Sequence, residues 1–98
     1  MLAGIWFLID LGSAVTFIRK SDAEFVARHS NSAKIVWKEQ ISQWHGYEKV
    51  RIRTLGTVKA DLQFGDWKLH NCSIEIVPDD RPTILGRDRM KEIGLVCS

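Results

Sequence analysis

The strongest constraint on the fold comes from residues 57–77, where two β-type segments flank a tight turn. Before the turn, apolar residues alternate with polar ones at a period of two, which places them on one face of a strand. These apolar residues are Val58, Ala60, Leu62 and Phe64. Gly65-Asp66 is a turn signal, and residues 67–77 return as a second β-type segment. The pattern predicts an antiparallel hairpin with one apolar face, which other elements must cover.

The other segments predict further short strands and one or two short helices. Additional β-type segments lie at residues 5–9, 14–18, 33–37, 41–52, 83–86 and 95–97. A helix is predicted at 21–29, where Ser21 and Glu24 have the spacing of a capping box. A second is predicted at 88–93, with Gly94 in place to end it. Many short strands separated by turns indicate a mostly β chain, either a small barrel or a folded sandwich.

Length and charge narrow the class of protein. The chain has 98 residues, enough for one small domain spanning 1–98. Its net charge is +2, and the densest basic run, K-V-R-I-R at 49–53, has its charges at alternate positions. That spacing favours a solvated strand face, with a phosphate-facing patch as the alternative, so nucleic acid is an unfavoured partner.

Cysteine and histidine usage gives no metal signature. Cys72 and Cys97 form no C-x-x-C motif, and His29, His45 and His70 are scattered along the chain. We therefore expect free thiols in a reducing, intracellular compartment and no metal site. The N-terminus is apolar, but it has no basic n-region and Asp10 interrupts it, so neither a signal peptide nor a membrane span is predicted.

Asp10 stands in the middle of the apolar stretch F-L-I-D-L-G-S-A-V at residues 7–15. A buried carboxylate is costly unless it is paired, hydrogen-bonded or protonated. One interpretation is a turn residue whose side chain caps local backbone N–H groups. The other is a catalytic acid held at a strand end by a turn that contains Gly12. The residues of this segment alone leave both open.

A second segment lies near the other end of the chain, I-L-G-R-D at 84–88. Like the first, it combines apolar residues with a glycine and an aspartate. Together, F-L-I-D-L-G-S-A-V-T-F-I and I-L-G-R-D-R-M-K-E-I-G-L-V resemble the active-site segment and the C-terminal strand and helix of retropepsins. These are the aspartic proteases of retroviruses and LTR retrotransposons. Between them, L-G-T-V-K-A-D-L-Q-F-G-D-W-K-L resembles the middle strands of gypsy-like members. The resemblance implies a small closed barrel with one or two short helices, one lobe per chain.

The resemblance also implies a mechanism. Two copies form a homodimer whose two Asp10 carboxyls share one proton, activate a water and hydrolyse an extended polypeptide, without a cofactor. The expected setting is a retroelement polyprotein, processed in the cytoplasm or in a virus-like particle. The implied active-site loop is Leu11, Gly12 and Ser13. The implied substrate-binding residues are the flap residues Trp44, His45, Gly46 and Tyr47 and the pocket-wall residues Ile84 and Leu85. Arg87 and Asp88 would tie the second helix to the active-site loop.

Two departures from the family pattern bear on activity. The family has Thr or Ser where this chain has Leu11, and that hydroxyl makes hydrogen bonds across the dimer axis. Leu has no donor or acceptor, so those bonds cannot form, although apolar packing of Leu11 against its mate is an alternative. Nine residues precede Asp10, so we expect the family's N-terminal strand to be truncated or absent and the dimer to be weak.

Three hypotheses follow from the sequence. The first is an active, dimeric aspartic endopeptidase. The second is a catalytically impaired retropepsin-like domain that serves as a dimerisation or peptide-binding module. The third is an unrelated β-barrel that binds nucleic acid through Lys49, Arg51 and Arg53, with Trp44 and Tyr47 nearby. Independently of these hypotheses, the alternative to a flap is that W-H-G-Y is a plain hairpin turn with exposed aromatic residues.

Overall fold

The computed structural model describes residues 4–10, 12–45 and 49–92, with the backbone alone at 42–45, 49 and 50. The described elements in chain order are β1 (Leu8–Ile9), β2 (Phe17–Arg19), α1 (Lys20–His29), β3 (Lys34–His45), β4 (Lys49–Phe64), β5 (Trp67–Val77), β6 (Ile84–Leu85) and α2 (Arg87–Glu92). The six strands form one mixed sheet in the order β1-β6-β2-β5-β4-β3. The prediction of a mostly β chain with one or two short helices is confirmed, and two helices are present among the described residues.

Three long strands make up the antiparallel half of this sheet. β3 pairs with β4 and β4 with β5, and the second pair ends at the Phe64↔Trp67 contact that closes the turn at 65–66. The hairpin predicted at 57–77 is therefore confirmed. Both pairs contain a register shift, between Trp37 and Gln40 in β3 and between Ala60 and Leu62 in β4. Bulges of this kind bend the strands.

The apolar face of this hairpin forms the main core. Val58, Ala60 and Leu62 are buried as the alternation predicts, and Phe64 is half-buried. They pack with Ile74 and Ile76 of β5 and with further residues from β2, α1 and β5, namely Ile18, Ala23 and Cys72. Helix α1 covers this face because Ala23, the one buried residue of α1, is small enough for close approach.

The three short strands form the other half of the sheet. β1 pairs with β6 in parallel, β6 pairs with β2 in antiparallel fashion, and β2 pairs with β5 in parallel. These strands are shorter than predicted: within the segments expected at 5–9 and 14–18, regular strand covers Leu8–Ile9 and starts only at Phe17. Strands this short form few backbone hydrogen bonds with their neighbours. Hydrogen bonds from side chains and loops must therefore help to keep them in the sheet.

The start of α1 differs from the predicted capping box. The helix begins at Lys20, and its N-cap residue, Arg19, makes no side-chain cap. The backbone N–H of Ser21 instead donates to Asp79 Oδ1 at 2.8 Å, from the loop after β5. A capping box is a local device, and here a carboxylate 58 residues away in the chain satisfies that amide.

The predicted closed barrel is not confirmed. Among the described residues, β1 and β3 are the two ends of the sheet and do not pair with each other, so the sheet stays open. Helix α2 begins one residue earlier than predicted and is described as far as Glu92. The predicted stop at Gly94 and the terminal strand at 95–97 lie outside the described residues.

Candidate active site

The two segments that resemble retropepsin motifs meet in space. Leu8 pairs with Ile84 and Ile9 with Leu85 in the parallel β1–β6 ladder. The N–H of Leu8 donates to the carbonyl of Thr83 at 2.9 Å, and the N–H of Asp10 donates to the carbonyl of Leu85 at 3.2 Å. The carboxylate-bearing residue therefore emerges from the end of β1 directly beside the end of β6.

The carboxyl group of Asp10 is half-buried and held by its own turn. Its Oδ1 accepts the N–H of Gly12 at 2.9 Å, while its backbone carbonyl accepts the N–H of Ser13 at 3.2 Å. A Cβ at position 12 would lie 3.2 Å from that same Oδ1, so a glycine here allows the carboxylate its close approach to the amide. Within the described part of the chain, Oδ2 has no hydrogen-bond partner. Asp10 thus caps a local amide and keeps one oxygen for other contacts.

The loop after Asp10 is clamped to the start of α2. The N–H of Arg87 donates to the carbonyl of Ser13 at 2.8 Å, and the N–H of Asp88 donates to that of Ala14 at 3.3 Å. Arg87 and Asp88 therefore tie the helix to this loop, as predicted, and they do so through their backbone amides. The Ser13 hydroxyl adds a local bond to the carbonyl of Val15 at 2.7 Å.

Thr16 is a polar residue at the centre of this clamp. Its side chain is buried, with 2% exposed. The hydroxyl donates to Asp88 Oδ1 at 2.7 Å and accepts the N–H of Gly86 at 2.9 Å. Gly86 sits so close to the loop that an added Cβ would lie 2.4 Å from the carbonyl oxygen of Val15.

Sequence reasoning missed Thr16. A signal was present, because a threonine inside the apolar stretch A-V-T-F-I needs a hydrogen-bond partner once it is buried. Which residue would supply that partner could not be read from the sequence, since Asp88 lies 72 positions away.

An apolar groove opens beside β1. It has a volume of about 390 Å³ and is lined by Ile5, Trp6, Phe7, Ile9, Phe64, Trp67 and Leu85. Trp6 is 94% exposed, and Ile9 and Trp67 are more than half exposed. Leu85 is buried. Ile84 is half-buried, and it pairs with Leu8 of β1 and with Phe17 of β2. The structure thus brings the predicted wall residues Ile84 and Leu85 next to the Asp10 strand.

The predicted flap falls at the tip of the β3–β4 hairpin. Backbone pairing continues through Trp44↔Val50 and His45↔Lys49, so a hairpin is present at this position. Its turn, with Gly46 and Tyr47, lies outside the described residues, as does Leu11 of the predicted active-site loop. The assignment of Trp44, His45, Gly46 and Tyr47 to a flap stays a prediction.

The basic strand face is partly neutralised within the chain. Arg51 and Arg53 are exposed on β4, as the alternation predicts. The Arg53 Nε donates to Glu39 Oε1 at 2.6 Å, and this hydrogen bond, together with the carboxylate charge, raises the pKa of Arg53. A guanidinium engaged in this way is less available to a phosphate, which weakens the nucleic-acid hypothesis.

Three further features of the described residues concern the thiol of Cys72, possible metal ligands and possible membrane-spanning helices. Cys72 is a free, buried thiol whose pKa is raised by burial, so it is a poor nucleophile. Residues 4–10, 12–45 and 49–92 contain no group of three or more His, Cys, Asp or Glu side chains that could hold a metal ion. Neither of the two described helices is long and apolar enough to cross a membrane.

Comparison with known proteins returned no relatives. No protein-family model, no curated protein and no solved structure matches this chain. The resemblance to retropepsins therefore rests on the residues quoted above and on how the chain arranges them.

The reactions that this site can support depend on the Asp10 carboxylate, whose Oδ2 makes no hydrogen bond within the described residues. Such a group can accept a proton from a water, but peptide hydrolysis also needs an acid that polarises the carbonyl. Among the described residues, Asp10 makes no hydrogen bond or ion pair with a second acidic side chain. The described residues therefore supply a single carboxylate at this site.

Proposed function

We propose that this chain is one half of a homodimeric aspartic endopeptidase of the retropepsin type, which processes a retroelement polyprotein. One observation carries the proposal. The two motif-bearing segments, from opposite ends of the sequence, pair in register through Leu8↔Ile84 and Ile9↔Leu85, and Asp10 stands where that pairing ends. In the proposed dimer the two Asp10 carboxyls face each other across a two-fold axis and share one proton. Each chain supplies a retropepsin-type lobe.

The proposed reaction uses no covalent intermediate. The ionised carboxylate takes a proton from a water, the protonated one donates a hydrogen bond to the scissile carbonyl, and the resulting hydroxide equivalent attacks the carbonyl carbon. Collapse of the tetrahedral species breaks the C–N bond, and the proton passes to the leaving amine. Ile84 and Leu85 supply apolar wall beside the dyad, which favours substrates with apolar side chains flanking the cleaved bond.

The deciding experiment measures cleavage of peptides with apolar residues on both sides of one bond, at mildly acidic pH. Asp10→Asn keeps the size of the side chain but cannot share a proton as a carboxyl pair does, so cleavage should fall to background and pepstatin should inhibit the parent. Asp66→Asn is the matched control, because Asp66 is exposed in the turn between β4 and β5. Equal cleavage by the Asp10→Asn variant and the parent would falsify the proposal.

The second candidate is a non-cleaving dimerisation or peptide-binding module, and Leu11 is the observation in its favour. Without a hydroxyl at this position, the family's hydrogen bonds across the dimer axis cannot form. Sedimentation of the parent and of Leu11→Thr, together with their cleavage rates, separates the candidates. An inert but dimeric parent that gains cleavage on Leu11→Thr supports the module, whereas robust cleavage by the parent rules it out.

A further inference from the structure

A second pocket lies where the β3–β4 hairpin meets the start of α1 and the loop after β5. Its volume is about 530 Å³, within the range of about 300–1,000 Å³ that is usual for ligand pockets. None of its lining residues belongs to the Asp10 loop or to the groove beside β1. The charged and aromatic residues of its wall are Lys20, Trp37, Lys38, Glu39, Arg53 and Asp79. We call it the Trp37 pocket.

A bulge in β3 builds one wall of the Trp37 pocket. Three consecutive residues, 37–39, line it, which a regular strand does not allow because successive side chains point to opposite faces. Trp37 pairs with Gly56 and Gln40 with Thr54, so two residues of β3 lie opposite one residue of β4. Bulges of this type redirect side chains. The bulge therefore gathers an indole, an ammonium and a carboxylate at one pocket.

Both acidic side chains of the pocket are already engaged within the chain. Glu39 Oε1 accepts the Nε–H of Arg53 at 2.6 Å. Asp79 Oδ1 accepts the N–H of Ser21 at 2.8 Å. Each carboxylate thus has a partner before a ligand arrives, and Arg53 is neutralised by Glu39. What these four groups leave for a ligand is decided by the two lysines.

The lysines give the pocket an excess of positive charge. Lys20 has one carboxylate at the limit of an ion pair, since its Nζ lies 3.9 Å from Glu24 Oε1. Lys38 is exposed and makes no hydrogen bond or ion pair with another described residue. Three basic and two acidic side chains line the pocket in total. Charge complementarity therefore favours an anionic ligand, with Lys38 as its first contact.

The aromatic wall adds a second requirement. The Trp37 side chain is 51% exposed, and Leu55 and Pro78 contribute apolar surface to the same pocket. A ring stacked against the indole could place an adjoining carboxylate at Lys38. A polypeptide with aromatic and acidic residues next to each other supplies both groups. The β3–β4 hairpin that carries this wall also carries the predicted flap at its tip.

We propose that the Trp37 pocket binds an acidic polypeptide segment whose aromatic side chain packs on Trp37 while a neighbouring carboxylate pairs with Lys38. In the homodimeric protease this segment belongs to the substrate, outside the bond that is cleaved. That part of the inference rests on the proposed function, whereas binding of the acidic segment does not. The pocket then selects polypeptides by a feature that Ile84 and Leu85 do not recognise.

The first test is an NMR titration with a blocked hexapeptide of alternating glutamate and phenylalanine. This peptide never has apolar residues on both sides of a bond, so it is not a substrate of the proposed type. We expect a dissociation constant below about 1 mM at low salt, with shifts at the Trp37 indole N–H. Trp37→Ala and Lys38→Gln should each weaken binding about three- to tenfold, and Lys38→Arg should match the parent.

Matched controls separate this pocket from two other surfaces. Trp67→Ala removes an indole of similar exposure, 55%, from the groove beside β1. Arg51→Gln removes an exposed cation from the basic strand face, outside the pocket. Both variants should bind the peptide as the parent does. A peptide with glutamine in place of glutamate, and one with alanine in place of phenylalanine, should bind more weakly than the original.

The second test measures kcat/KM for two substrates that differ only in a glutamate–phenylalanine tail or a glutamine–alanine tail. The parent should favour the acidic aromatic tail about threefold or more, and Lys38→Gln should bring the ratio of the two kcat/KM values close to one. A ratio of one in the parent overturns the role in substrate recognition.

The binding outcomes decide the pocket independently of catalysis. Absence of binding by the parent, or equal binding by the parent, Trp37→Ala and Lys38→Gln, overturns the proposed site. A loss in Trp67→Ala or Arg51→Gln as large as in the pocket variants also overturns it, because the peptide then binds elsewhere. If the parent cleaves no peptide but the expected binding pattern is found, the endopeptidase proposal fails and the acidic-peptide site is supported.

Discussion

The two halves of the sheet are held together by different means. β3, β4 and β5 have 12, 16 and 11 residues and are joined by long antiparallel ladders over an apolar face. β1, β2 and β6 have only two or three residues each, and around them a buried hydroxyl, a carboxylate and several loop amides supply the contacts. The long half accommodates two bulges without losing its pairing. The short half is held by a small number of hydrogen bonds, each of which requires its two partners in fixed positions.

The largest expected effect comes from adding one carbon at the tightest point of the short half. In Gly86→Ala the new Cβ would lie 2.4 Å from the carbonyl oxygen and 2.5 Å from the carbonyl carbon of Val15. Both atoms belong to backbone that is fixed by the clamp, so we expect the free energy of unfolding to fall by at least about 3 kcal/mol. Urea denaturation measures it. Gly4→Ala, with no atom within 4 Å, is the control and should change stability by less than about 0.5 kcal/mol.

The corresponding change in the long half should cost less. In Gly56→Ala the new Cβ would lie 2.3 Å from the carbonyl oxygen of Val36 and 2.9 Å from the Cα of Trp37. The clash is as close, and the φ of +158° at Gly56 adds backbone strain, but β3 is an end strand of the described sheet and can move outward. We expect a loss of about 1–3 kcal/mol in the same urea experiment. A loss as large as that of Gly86→Ala would contradict the contrast drawn between the two halves.

A smaller effect is expected from trimming the apolar core of the long half. Ile76 is fully buried at 0% exposed, so Ile76→Val removes one methylene and leaves a small cavity. The expected loss is about 0.5–1.5 kcal/mol, with an unchanged dependence of stability on urea concentration. An unchanged free energy of unfolding would indicate that the side chains around β5 repack more freely than their burial implies.

The smallest expected effect concerns the carboxylate that caps α1. The hydrogen bond from the Ser21 amide lowers the pKa of Asp79 below its ordinary value of 3.8. Folding therefore favours ionised Asp79. The resulting stability is present in full above the ordinary carboxyl pKa and is lost as pH falls through the lowered one.

Asp79→Asn keeps an oxygen at this cap but removes the charge. The parent should unfold at a slightly higher urea concentration than the variant at neutral pH, and the difference should shrink as pH falls below 3.8, the ordinary pKa of this carboxyl. A difference that stays constant over this pH range would show that the charge of Asp79 contributes nothing to α1.

The sequence predicted the long half of the sheet better than the short half. The alternation of Val58, Ala60 and Leu62 is a local pattern, and it predicted the hairpin and its buried face correctly. Helix α1 was predicted in place, but the source of its capping carboxylate was not, because Asp79 is distant in sequence. The closed barrel came from family resemblance, and the described sheet is open.

The sequence singled out the two segments that meet at the candidate site, but it did not reveal the contacts around them. The segments around Asp10 and Ile84 could be matched from their sequences, and they pair in the structure. The part played by Thr16 could not be derived, since a threonine in an apolar stretch reveals its need for a partner but not the partner's position. Short strands such as β1 and β6 carry too few residues for a periodic pattern, so their limits are set by tertiary pairing.

The clamp between Thr16 and Asp88 has a consequence for the order of events in biosynthesis. Its two ends are 72 residues apart, whereas the hairpin of β4 and β5 closes within one continuous stretch. A chain leaving the ribosome N-terminus first can complete that hairpin while the segment that anchors the Asp10 loop is still being translated. Asp10 is therefore translated early, and its loop gains this contact only after Asp88 has been made, 72 residues after Thr16.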